Sequence, residues 1–169
     1  MKKTLLFGFL FAVIFTYSQE LKVNAADAKI GFNFVNESTK GTLKGLTATI
    51  KFDASNLSLA SISGTVDVST ISTGNGTRDK HLKSGEYFDA EKYPKISFKS
   101  NSITKEGNGY KMVGKLKIKD VEKEVTFNFT YEGKVFKGKA TIYSSDFGIS
   151  MKKKREMNQV DISIEIPVL

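Results

Sequence analysis

Apolar residues return at every second position through most of this chain, the spacing at which side chains of an extended strand share a face. Ile30, Phe32 and Phe34 alternate with Lys29, Gly31 and Asn33; Leu46, Ala48, Ile50 and Phe52 alternate with Thr47, Thr49 and Lys51. The rhythm recurs at 62–68, at Ile96 and Phe98, at 112–118, 125–131, 136–142 and 160–168. About eight strands are predicted. Asp53-Ala54-Ser55-Asn56, Glu106-Gly107-Asn108-Gly109, Lys119-Asp120 and Glu132-Gly133 separate them with the short turn chemistry that joins antiparallel neighbours. No linker or repeat divides the mature chain, so residues 19–169 are expected to form one domain.

Strands with one apolar and one polar face pack either as a two-sheet sandwich or as a closed barrel. Ala48, Gly64, Gly114, Gly138 and Ala140 lie on the apolar face and add little volume to it. In a barrel of about eight strands such positions permit sharp coiling and leave an apolar hollow. The alternation alone is compatible with both architectures.

Ahead of the strands, Met1-Lys2-Lys3, an apolar run from Leu5 to Phe15 and Thr16-Tyr17-Ser18 have the layout of a secretory leader, expected over residues 1–18 with cleavage before Gln19. The run is short of the roughly 20 apolar residues of a spanning helix. The chain has no cysteine, hence neither a disulfide framework nor a thiol for a lipoprotein anchor. Its net charge of +8 loses Lys2 and Lys3 with the leader, leaving +6. Export argues against nucleic acid as the partner of that surplus. Lysines spaced along strand faces read chiefly as solvated charge that blocks edge association.

Only residues 72–94 break the pattern for long. Gly74-Asn75-Gly76 makes a bend, Thr77 is a candidate cap, and the residues from Arg78 onward suit a short helix that ends before Pro94. Tyr87 and Phe88 are expected to turn inward, so that the helix plugs one end of the fold. Arg78, Asp79 and His81 read as a buried ion pair with a histidine hydrogen bond bracing the helix to the wall. No activated nucleophile accompanies them, so no enzymatic role and no catalytic residue is expected. With one histidine and no cysteine, no metal site or cofactor is expected either.

The segment "STISTGNGTRDKHLKSGEYFDAEKYPKISFKS" resembles the hallmark of the YceI-like proteins: a strand ending near Ser69 to Gly74, then Arg78-Asp79-Lys80-His81-Leu82, Phe88-Asp89 and Tyr93-Pro94-Lys95-Ile96-Ser97-Phe98. "GYKMVGKLKIKDVEKEVTFNF" and Asp146-Phe147-Gly148 are similar to later parts of the same family. The resemblance implies an all-β fold, a single antiparallel lipocalin-like barrel of about eight strands with one short helix between the third and fourth. It also implies a long-chain isoprenoid or fatty lipid held in the interior, in the periplasm or outside the cell. The expected apolar lining is Phe32, Phe34, Leu46, Ile50, Val66, Val68, Phe98, Met112, Leu116, Phe127, Phe129 and Ile142. The expected entrance motif is Asn36, Arg78, Asp79, His81, Tyr87 and Phe88. Ala28 and Asn36 stand where the family usually has serine and histidine.

Lys152-Lys153-Lys154-Arg155 is the densest charge run, read as a solvated hairpin tip or as a contact for an anionic membrane surface. Two other functional classes stay open beside the lipid carrier: a solid-cored extracellular interaction module, and an enzyme acting on a lipid inside the barrel. The sequence also leaves open a homodimer.

Overall fold

The computed structural model describes residues 19–169, and the expected leader lies outside the described residues. Among the described residues nine strands are present: β1 (Glu20–Leu21), β2 (Lys29–Phe34), β3 (Thr39–Lys51), β4 (Ser61–Ser72), β5 (Lys95–Glu106), β6 (Gly109–Ile118), β7 (Val121–Glu132), β8 (Val135–Tyr143) and β9 (Gln159–Pro167). One helix, α1 (Gly76–Lys83), lies between β4 and β5, the third and fourth long strands after β2 is counted first. All pairings are antiparallel. The order β3-β2-β9-β8-β7-β6-β5-β4 returns from β4 to β3 and closes an eight-stranded barrel. Closure removes the open edges that a sheet of this length would otherwise expose.

The extra strand, β1, shares the slot of β2. It pairs with the end of β3, Glu20 opposite Lys51, while Val23 bridges to Val168 beside the end of β9. The segment 20–34 is therefore one interrupted strand between β3 and β9.

Alternation along the strands decides which residues meet. On β8, Phe136, Gly138, Ala140 and Ile142 are buried, and Lys137, Lys139 and Thr141 between them are exposed. Two-residue turns hold the registers. Gly133 and Lys134 between β7 and β8 both have positive φ, 56° and 62°, the backbone a twisted hairpin requires at both central positions.

The two ends of the barrel differ. At the end where β3 gives way to β4, Phe52 turns into the lumen against Tyr110, Phe129, Tyr131 and Phe136, with ring centroids 5.0 to 5.8 Å away. These edge-on contacts fill the base. At the other end α1 lies across the opening, with Leu82 buried against Val68 and Ile71. Asn75, not the expected Thr77, caps the helix: its side chain accepts from the Arg78 amide at 3.1 Å. Thr77 already lies within the first turn, where its hydroxyl cannot take the capping position.

Candidate functional site

Between base and helix the barrel holds an apolar cavity of about 160 Å³, walled by every long strand of the ring and bordered by Phe88. An apolar hollow of that order stays dry and accepts apolar guests. Nine of the twelve residues expected to line it do so: Phe32, Phe34, Leu46, Val66, Phe98, Met112, Leu116, Phe127 and Ile142. The other three face inward at the wrong depth. Ile50 is fully buried in the core, and Phe129 stacks on Tyr110 in the aromatic base. Val68 is spent under the helix beside Ile71 and Leu82. Ile62, Ile96 and Ile164, in phase with these residues, complete the wall.

Ala48 and Gly64 are cross-strand partners in the cavity wall, but a Cβ at Gly64 would already meet the Thr47 carbonyl at 3.0 Å and the Ala48 methyl at 3.1 Å. Gly114 does not contribute space, because the Phe98 ring lies where its Cβ would be, 2.5 Å away, and a Lys99 carbonyl is as close. Gly138 is covered by Ile164 and Phe129. Inward glycines here make room for neighbouring groups, a ring at Gly114, Ile164 at Gly138 and the Ala48 methyl at Gly64, and do not by themselves open the lumen.

The entrance motif is built otherwise than expected. Arg78 and Asp79 do not pair with each other; both grip Thr73. Asp79 Oδ1 accepts from the Thr73 amide at 2.8 Å and from its hydroxyl at 2.5 Å, while Arg78 donates through Nε to Thr73 Oγ1 (2.8 Å) and through Nη2 to the Thr73 carbonyl (3.1 Å). The Thr73 hydrogen bonds, foremost that of the hydroxyl, hold the Asp79 carboxyl below the ordinary carboxylate range. His81 is exposed and not buried: its Nε2 meets Glu86 at 2.8 Å, with its ring edge-on to Tyr87. The brace therefore works at the surface, where polar groups keep their hydration. Tyr87 stays on the rim, facing a polar-edged recess between Arg78, His81 and Met151 that shares Phe34 with the cavity. Both aromatics pack against the buried cluster under the helix, but only Phe88 reaches the cavity. Asn36 donates to the Glu156 carbonyl at 3.3 Å, tying the β2–β3 turn to the 155–158 turn.

In the basic run, Lys152 pairs with Glu37 at 2.8 Å, and Arg155 grips Asp146 at 2.6 Å while lying over the Tyr143 ring. Arg155 holds the Asp146 carboxyl below its usual range. Lys153 and Lys154 are exposed and make no salt bridge among the described residues. Buried Asn158 receives the backbone amides of Met151 and Lys152 and donates to the carbonyls of Lys152 and Lys154, fixing the loop that carries them.

The profile of the YceI-like domain matches residues 21–168, the whole barrel from β1 to the last bridge. The chain belongs to the YceI-like family. Protein YceI of Salmonella agona is 30% identical over 186 aligned positions, covering 98% of this chain and 97% of that relative. Among solved structures, Burkholderia cenocepacia BcnA superposes with a TM-score of 0.77 at 28% identity, over 86% of this chain and 98% of that one. A polyisoprenoid binding domain from Saccharophagus degradans gives 0.60 at 10% identity, over 88% and 97%, a likeness of fold. Thr73, Arg78 and Asp79 form one hydrogen-bonded unit joining β4 to α1.

Proposed function

We propose that this protein holds one long, flexible apolar lipid, isoprenoid in class, in the barrel interior and sequesters or transfers it without covalent chemistry. The observation that carries this reading is the continuous apolar lumen running from beneath Phe88 to the level of Ile62 and Ile166. The polyisoprenoid binding domain of the same fold supports the choice of lipid class. Burial of a tail against this wall stabilises the complex by ~25 cal/mol per Å² of apolar surface, offset by the entropy lost when the tail is ordered. The nine lining residues expected from the sequence are the proposed contacts, and the Thr73 unit holds the roof in place. With the leader, the site of action is the periplasm or the extracellular space.

Native mass spectrometry of protein purified from a membrane-containing host, followed by organic extraction, tests the proposal. The expected result is a complex heavier than the chain by one lipid, with a hydrocarbon-rich molecule in the extract. Protein that is lipid-free under conditions retaining weak ligands, and that takes up no long-chain isoprenoid when offered one, would favour the interaction module.

A further inference from the structure

We propose that Ser144 is a polar anchor within the apolar lumen, and that the lipid this chain takes carries a hydroxyl or carbonyl oxygen at the mouth end of its tail. The proposal rests on the lipid-holding function above and narrows its ligand. On β8 the inward positions are Phe136, Gly138, Ala140 and Ile142, and the next residue in that phase is Ser144, which lines the cavity and is only 4% exposed. It begins a 3-10 turn over Ser144–Phe147, where its carbonyl accepts from the amides of Gly148 and Ile149. Its backbone acceptor is thus satisfied. Its hydroxyl is not: Ser144 Oγ is buried without a hydrogen-bond partner. Asn33 Oδ1 and Ser145 Oγ share that condition, but neither residue lines the cavity.

A buried hydroxyl left unpaired is destabilising relative to a paired one or to a methyl of similar shape. Water is a poor remedy here, since a buried water needs two to four polar partners and the cavity wall that Ser144 joins is almost wholly apolar. A guest oxygen supplies the single partner that the site lacks. Position then fixes its place in the guest. On β9 the lining runs from Ile166 up to Val160, the partner of Ile142 two residues short of Ser144. At ~3.4 Å per residue and a strand tilt of about 40°, those six residues span roughly 16 Å along the barrel axis. The guest is accordingly a hydrocarbon segment of about that length below an oxygen function.

The test compares phytol, its ketone analogue phytone and the hydrocarbon phytane, each displacing a fluorescent polyene fatty acid from the lipid-stripped full-length mature protein. The wild type is expected to bind phytol or phytone about three- to tenfold more tightly than phytane, one net hydrogen bond. In Ser144→Ala that preference disappears while phytane affinity is unchanged, and in Ser144→Thr it returns. Lipid-free Ser144→Ala should melt no lower than wild type, because it loses an unpaired polar group; a lower Tm would mark the hydroxyl as structural and overturn the anchor. Equal binding of all three by the wild type, or equal weakening of all three in Ser144→Ala, would also overturn it while leaving lipid holding intact. Binding of none would remove the lipid-holding reading itself.

Discussion

At the scale of single residues, Thr73 joins strand to lid, and Asp79 is the titratable half of that joint. A carboxyl whose folded pKa lies below its unfolded value contributes stability above the unfolded pKa and loses it as pH falls through the folded one. Asp79→Asn should therefore lower wild-type stability at neutral pH, and the difference should shrink below about pH 4, as followed by thermal melts across an acid series. Ala48 offers the cleanest way to occupy the lumen. Ala48→Phe is expected to raise the stability of lipid-free protein by about 1–2 kcal/mol, the reverse of a cavity cost of ~24 cal/mol per Å³, while sharply reducing bound lipid. The facing of Phe32, Phe98 or Met112 was legible because parity alone selects a side of a strand. Depth was not: Ile50 and Phe129 share that parity and lie in the base, since alternation carries no information on where along the barrel an aromatic cluster fills the lumen. Thr73 gave no signal either, as its role comes from hydrogen bonds to residues five and six positions away.

At the scale of elements, α1 is a lid with one buried anchor, Leu82, and a polar latch. Its N-cap matters accordingly. Asn75→Ala should cost the lid about 1 kcal/mol and speed amide exchange across 76–90 about fivefold, whereas Thr77→Ala should leave exchange unaltered. The base is the opposite kind of element, held by packing alone. Phe52→Ala removes a ring that four others meet edge-on and should cost about 3–5 kcal/mol in global unfolding by denaturant. Turn residues announced the hairpins joining β5 through β8 at once, because positive φ restricts which residues fit. The two-residue β1 was silent, being too short to alternate; only its pairing with Ile50 and Lys51 reveals it.

For the whole molecule, closure depends on β3 meeting β4, and this seam is the least regular in the ring. Its register shifts between Thr42 and Lys44 and again between Lys44 and Thr47, and Thr70 Oγ1 bridges the gap by accepting from the Lys44 amide. No local pattern could have chosen barrel over sandwich, since that choice is made by this pairing. The familiar motif chose it instead. Lys153 and Lys154 are exposed and make no salt bridge among the described residues; if they serve the membrane contact expected from the sequence, the protein should sediment with anionic vesicles at low salt and be released as salt rises. Reversing both to glutamate should abolish attachment by sedimentation, each lysine being worth ~1 kcal/mol near such a surface.

The aromatic plug around Phe52 makes the container a blind-ended tube. A lipid held as proposed would depart through the doorway by which it arrived, with its orientation settled at loading. Its residence time would be governed by how often the roof lifts, and strengthening the far end would leave it unaltered.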